Sequence, residues 1–278
     1  MTPTRPRRTA RLLAMAVAAL VLLVVGACSS SGSKDDAQSV TAGQGDELVG
    51  IFHLTPGAVD GSKITGTWFR MLQPGGTTKA GPYMRNADSP ADGGQATLLS
   101  PGTSGGLRTG GYQSQPVPAF DAEGNSLAGA ITAPTRFFGV AFSISTNKVD
   151  IQAKTEVAPP TIVVKDGKLT ADMSAWAASW NRQDFNQGAP KPVSSTDAKA
   201  PGQAQAERAW DWVAQKWLEA APAPTVTGKG AKGTYDAKTK HFTLEWTSLI
   251  NGGPFNGFTG LWHLEGTFEA SGRAPDGA

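Results

Sequence analysis

The feature that most constrains this chain is a two-residue alternation of apolar and polar side chains in its C-terminal third. Phe242, Leu244 and Trp246 alternate with polar residues, and Trp262 and Leu264 begin a second segment of the same kind. A period of two places apolar residues on one face of a β-strand, whereas a helix needs a period of 3.6. Each segment therefore predicts a strand with one buried face and one solvent-exposed face.

Turn signals separate further segments of strand character. Glycine occurs with proline, asparagine or aspartate at Pro56-Gly57, at Asp166-Gly167 and at Asn251-Gly252-Gly253-Pro254. The segment 172–180 fits a helix or a strand, and the turn before it favours a strand. The chain has 34 Gly and 19 Pro in 278 residues, a composition that suits many short strands rather than a helical bundle. We predict a mainly β, antiparallel sandwich or barrel-like domain, with further candidate strands at 48–54, 64–72, 97–100, 138–144, 149–153, 161–165 and 168–173.

One segment departs from the two-residue period. Residues 204–221 contain neither Pro nor Gly, and Trp210, Val213 and Trp217 share one helical face. Pro222 follows the segment and would end a helix there. We therefore predict one appended amphipathic helix at about 204–221, packed on the sheet through its tryptophans.

The first 28 residues are organised like an export signal. Four arginines lie between residues 5 and 11, and residues 12–25 follow without a charge. This apolar run is shorter than the roughly 20 residues that span a bilayer, and its length is typical of a signal peptide. It ends in Val25-Gly26-Ala27-Cys28, which contains the single cysteine of the chain. From these residues alone, the segment could also be a plain secretory signal or an uncleaved membrane helix.

Residues 5–28 resemble the signal peptide of bacterial lipoproteins, in which an aliphatic residue and two small residues precede a lipid-bearing cysteine. The resemblance implies that Cys28 becomes the lipidated N-terminus. It implies a location at the cell membrane, lipid-anchored and facing the outside of the cytoplasm. The mature domain resembles no family of known function. We expect a signal peptide (1–27), the lipidated cysteine with a flexible tether (28–46), a single β-rich extracytoplasmic domain (47–270) and a short tail (271–278).

Loss of the signal peptide changes the expected partners. The full chain carries a net charge of +2, and removal of four arginines leaves 21 basic against 23 acidic residues. No basic patch then remains to attract nucleic acid. The expected partners are the membrane, through the lipid on Cys28, and an envelope protein, a glycan or a lipid.

Four side chains suited to chemistry share the predicted exposed face of the two C-terminal strands: His241, Glu245, His263 and Glu265. If the tryptophans of the two strands lie opposite each other, Glu245 lies opposite His263. Two histidines and a carboxylate can bind a metal or exchange protons, so a metal-dependent enzyme using His241, His263 and Glu245 is one hypothesis. We favour a solvated charge pair instead, because catalytic metal ligands are usually enclosed by supporting residues.

The loop at residues 251–258 is the predicted binding surface. It is rich in glycine and carries two phenylalanines, which we expect to be exposed at one end of the domain. The candidate binding residues are Asn251, Phe255, Asn256, Phe258 and, outside the loop, Trp212. Eight tryptophans raise the idea of sugar stacking, but most occupy positions predicted to face the core. Only Trp212, and one of Trp176 and Trp180, are expected to be exposed.

The sequence has no phosphate-binding loop, and we expect no cofactor. The favoured hypothesis is a non-catalytic binding or structural module of the bacterial cell envelope. The alternatives are a carrier of an apolar or glycan ligand and the metal-dependent enzyme.

Overall fold

The computed structural model describes residues 45–188, 210–211, 216–217 and 229–271. Antiparallel strands joined by turns dominate these residues, which confirms the predicted mainly β fold. Within these ranges no helix is long and apolar enough to span a bilayer. The predicted signal peptide, Cys28, most of the tether and Trp212 lie outside the described residues.

The strands are numbered in chain order. They are β1 (Asp46–Glu47), β2 (Gly50–Leu54), β3 (Ala58–Asp60), β4 (Lys63–Thr65), β5 (Trp68–Thr77), β6 (Gly81–Tyr83), β7 (Thr97–Leu98), β8 (Gly106–Arg108), β9 (Thr135–Phe137), β10 (Val140–Thr146), β11 (Thr161–Lys165), β12 (Lys168–Asp172), β13 (Trp176–Trp180), β14 (Gln183–Asn186), β15 (Trp210–Asp211), β16 (Lys216–Trp217), β17 (Lys229–Tyr235), β18 (His241–Leu249) and β19 (Thr259–Ala270). Short 3-10 helices lie at Ala91–Gly94 and Gly253–Phe255.

Eleven strands form the larger sheet. Its main path runs β1-β11-β12-β17-β18-β19-β2-β8, and β5 joins it beside β19 together with β6 and β7. The long β19 pairs with β5 through residues 259–263 and with β2 through residues 266–270. The path is open among the described residues, so these strands do not form the barrel that the sequence left as an alternative.

A second sheet has four strands in the order β14-β13-β10-β9, and it packs against the larger one. Trp176 of β13 meets Trp246 of β18 edge to face at 5.2 Å between ring centroids. Phe142 of β10 lies 5.9 Å from Phe69 of β5. The buried side chains of both sheets form one core, as in a sandwich of two antiparallel sheets. The strand favoured over a helix within 172–180 is confirmed.

The pairing of β18 with β19 decides which face of the larger sheet is buried. Trp246 lies opposite Trp262, and Glu245 lies opposite His263, as the alternation predicts. The two tryptophans are almost completely buried and stack at 6.0 Å. Because neighbouring residues of a strand point to opposite faces, the glutamate and the histidine lie on the outer face.

The helix predicted over 204–221 is wrong for the residues described in that segment. Trp210–Asp211 and Lys216–Trp217 form the short antiparallel strands β15 and β16, with Trp210 opposite Trp217. A spacing of seven residues puts two side chains on one helical face, but it also places two residues opposite each other across a hairpin. The pattern therefore suits both structures, and tryptophan also favours strands.

Candidate functional site

The outer face of the larger sheet carries a row of side chains drawn from four neighbouring strands. The register aligns Lys232 of β17, Glu245 of β18, His263 of β19 and Trp68 of β5. The His263 ring stacks on the Trp68 ring at 5.0 Å, with 4° between the ring planes. Nδ1 of His263 donates a hydrogen bond of 2.7 Å to Oε1 of Glu245. Direct cross-strand contacts of this kind hold side chains in fixed positions.

Arg70 lies beside this row, two residues after Trp68 on the same face of β5. Its guanidinium carbon is 5.3 Å from the centre of the Trp68 ring and 4.9 Å from that of Tyr83. Nη2 of Arg70 donates to Oδ2 of Asp92 at 3.0 Å. Two aromatic rings and one carboxylate thus hold the guanidinium, by cation–π attraction and a charge-assisted hydrogen bond.

A cleft of about 930 Å³ opens over these residues. Its walls include Lys63, Trp68, Arg70, Tyr83, Lys232 and Glu245. The volume lies within the range of roughly 300–1,000 Å³ that is usual for small-molecule sites. The cleft lies on the polar outer face of the sheet, so its walls mix charged and aromatic groups.

The structure brings together the four polar residues predicted on β18 and β19. Glu265 links the two histidines: Nε2 of His241 donates to its Oε1 at 3.2 Å, and Nε2 of His263 lies 3.5 Å from its Oε2. The Gly66 N–H also donates to Oε2 of Glu265, at 2.9 Å. The contacts therefore run Glu245–His263–Glu265–His241 along the sheet, and Glu245 is the member that lines the cleft.

Both glutamates of this chain of contacts are kept ionised. The hydrogen bond from His263 holds the pKa of Glu245 below its ordinary value and outweighs the opposing effect of burial. Burial alone would raise the pKa of Glu265. Hydrogen bonds from Gly66, His241 and His263 together outweigh burial, so the pKa lies below its ordinary value. Carboxylates at these positions therefore act as hydrogen-bond acceptors.

A metal centre does not emerge from this cluster. In the part of the chain that the structure describes, no group of three or more His, Cys, Asp or Glu side chains is arranged to hold a metal ion.

The loop at residues 251–258 is less exposed than the sequence suggests. Asn251 is 3% exposed, and Oδ1 of Asn256 accepts a hydrogen bond from the Gly252 N–H at 2.7 Å. Phe255 is half-buried and packs between Phe138, Trp180 and Phe258. The centroid of its ring lies 5.6 Å from the centroid of each of these three rings. The expectation of two freely exposed phenylalanines is therefore wrong, because this end of the domain has its own aromatic cluster.

A small apolar cavity lies beneath that cluster. It measures about 50 Å³, and Phe137, Trp180, Phe255 and Trp262 are among the residues that line it. Apolar ligands are bound in pockets of roughly 300 Å³ or more. This cavity is too small to enclose a lipid chain.

The structure also corrects the expected exposure of the tryptophans. Trp176 and Trp180 are both buried, whereas one of them was expected at the surface. Trp68 reaches the cleft, and sequence reasoning missed it together with Arg70. The available signal is the order Trp68-Phe69-Arg70, in which an arginine two residues from a tryptophan marks an outward face.

No protein-family model, curated protein or solved structure matches the chain. The functional assignment therefore depends on the geometry and chemistry of the site. Two predicted site residues, Cys28 and Trp212, lie outside the described residues.

Proposed function

We propose that this protein is a lipid-anchored lipoprotein of the bacterial cell envelope, and that its β-domain is a non-catalytic binding module. The anchor is supported by the sequence motif that ends at Cys28. The binding role is supported by the cleft on the outer face of the sheet. The ligand site proposed is this cleft rather than the loop at residues 251–258.

One observation carries the binding role: the side chains of the cleft are already fixed in place. His263 holds Glu245 at 2.7 Å, and Asp92 holds Arg70 between two aromatic rings. A site whose groups are held before the ligand arrives loses less side-chain entropy on binding.

The electrostatics favour binding over catalysis. A general acid at neutral pH needs a raised pKa, whereas the pKa of Glu245 is lowered. The Nδ1 atom of His263 faces Glu245, its Nε2 atom faces Glu265, and its side chain is only 14% exposed. Glu245 is therefore not prepared to act as a general acid, and His263 is not among the residues that line the cleft.

Occlusion of the cleft tests this proposal. Leu261 of β19 lines the cleft opposite Arg70 of β5, so Leu261→Trp should obstruct it there. Thr267→Trp is the matched control, because Thr267 is exposed on the same strand but lies beyond Glu265, opposite His241. The full chain, purified in mild detergent, is sedimented with insoluble cell-wall material.

We expect the wild-type protein and Thr267→Trp to sediment with the wall and Leu261→Trp to stay in solution. Circular dichroism checks that both variants are folded. Equal sedimentation of the two variants, or no binding of the wild-type protein, would contradict the proposed function.

A further inference from the structure

The cations of the cleft are not balanced by its acids. The Arg70 charge is paired with Asp92 at 3.0 Å, and the Glu245 charge faces His263. Lys63 and Lys232 also line the cleft and are exposed. Neither lysine forms an ion pair with any of the described residues. The cleft therefore presents positive charge that a ligand can neutralise.

Arg70 adds directional donors to this charge. A guanidinium has five N–H groups that suit a planar oxyanion, and among the described residues Asp92 is its hydrogen-bond partner. The aromatic rings on either side keep the plane of the guanidinium fixed. An incoming carboxylate or phosphate would find an oriented group with unused donor capacity.

Glu245 sets a second requirement. It is 55% exposed in the cleft and stays ionised, so it repels a ligand that carries only negative charge. A ligand that fits must offer hydroxyl or amide donors to Glu245 and an oxyanion to the cations. A sugar unit with an acidic substituent offers both kinds of group within a few ångströms.

We infer that the cleft binds an acidic glycan, and this inference rests on the proposed binding function. Lys232 lies opposite Glu245 across β17 and β18, so one sugar unit can place its oxyanion at Lys232 while its hydroxyls donate to Glu245. Arg70 lies on β5, three strand spacings or about 14 Å from β17, and meets the oxyanion of another unit, while Lys63 adds positive charge to the cleft wall. The half-buried Trp68 ring forms part of the cleft wall and supplies apolar contact to the sugar. The shared chemistry is an oxyanion on a polyhydroxylated chain, and a uronic-acid carboxylate and a sugar phosphate are its two sources.

The test is equilibrium binding of the full chain in mild detergent to four probes of equal length. They are hexagalacturonate, phosphorylated maltohexaose, neutral maltohexaose and hexaglutamate. Lys232→Gln removes a cation of the cleft, and Lys238→Gln is its matched control. Lys238 is also exposed but lies in the turn between β17 and β18.

We expect one of the acidic sugars to bind and its affinity to fall as salt rises. Lys232→Gln should weaken that binding about tenfold, the effect of losing a charge-assisted hydrogen bond, while Lys238→Gln leaves it unchanged. Binding of hexagalacturonate alone identifies the carboxylate as the source of the oxyanion, and binding of phosphorylated maltohexaose alone identifies the phosphate.

Three results would overturn the inference. Neutral maltohexaose binding as tightly as the acidic sugars would remove the role of charge, and hexaglutamate binding as tightly would point to an acidic peptide. Equal weakening by Lys232→Gln and Lys238→Gln would place the ligand outside the cleft. If no probe binds while Leu261→Trp still abolishes sedimentation with cell walls, the acidic-glycan inference fails and the proposed function stands.

Discussion

Two tryptophans on adjacent strands of the larger sheet should differ sharply in their contribution to stability. Trp262 of β19 is 1% exposed and its ring lies 4.4 Å from Phe69. Its indole N–H donates to Oγ of Ser248 at 3.1 Å. Trp68 of β5 is on the outer face, where it stacks on His263. If the assignment of faces is right, Trp262→Ala removes a core side chain and Trp68→Ala removes a surface contact.

The expected magnitudes follow from these environments. Replacement of a buried tryptophan by alanine costs about 3–5 kcal/mol, because a cavity remains in the core. For Trp68→Ala, loss of one aromatic stack and one cation–π contact costs about 1–2 kcal/mol. The free energy of unfolding falls by about 2–3 kcal/mol for each molar of urea. The urea midpoint should therefore fall by about 1–2 M for Trp262→Ala and by about 0.5 M for Trp68→Ala.

The assay is urea unfolding of the full chain in mild detergent, followed by far-ultraviolet circular dichroism, which reports mainly on the backbone. Trp262→Phe keeps most of the apolar area and serves if Trp262→Ala does not fold. Equal midpoints for Trp262→Ala and Trp68→Ala would refute the assignment of inner and outer faces, and with it the position of the cleft.

Three further predictions concern backbone packing, pH and anchoring. Gly266→Ala should destabilise the domain by more than about 2 kcal/mol in urea unfolding, because the new Cβ would lie 1.8 Å from a carbonyl oxygen of β2. Gly111→Ala is the control, since its new Cβ would meet nothing within 4 Å, and it should change stability by less than about 0.5 kcal/mol. The folded-state pKa of Glu245 lies below its unfolded value, so the contribution of Glu245 to stability is present above the ordinary pKa of 4.5 and is lost as pH falls through the folded pKa. In thermal unfolding, His263→Ala should therefore lose less stability on acidification than the wild type. An unchanged loss of stability would contradict the assigned pairing. Cys28→Ala should lose radioactive lipid label and leave the membrane fraction, whereas retention of the unlabelled variant on the membrane would show an uncleaved anchor.

The polar chain of contacts on β18 and β19 is predictable from sequence because its determinants are local. Strict alternation sets the face of each residue, and one connection joins the two strands. Once Trp246 lies opposite Trp262, the position of Glu245 beside His263 follows from the pleat. No distant part of the chain is needed for this step.

The rest of the site depends on pairings between distant segments. Trp68 and Arg70 reach the cleft only because β5 pairs with the N-terminal half of β19, and alternation within β5 does not reveal that partner. The burial of Phe255 likewise depends on Phe138, which the β9–β10 turn brings to the loop. The helix predicted over 204–221 fails for a related reason, since one spacing of tryptophans suits both a helix and a hairpin.

Lysine footprinting tests the binding cleft most directly. The full chain is acetylated with and without cell-wall material, and the modification of each lysine is read by mass spectrometry. We predict that bound wall material protects Lys63 and Lys232, which line the cleft, and leaves the exposed Lys238 as reactive as before. Protection of Lys238 to the same extent, or unchanged reactivity of the two cleft lysines, would contradict the account.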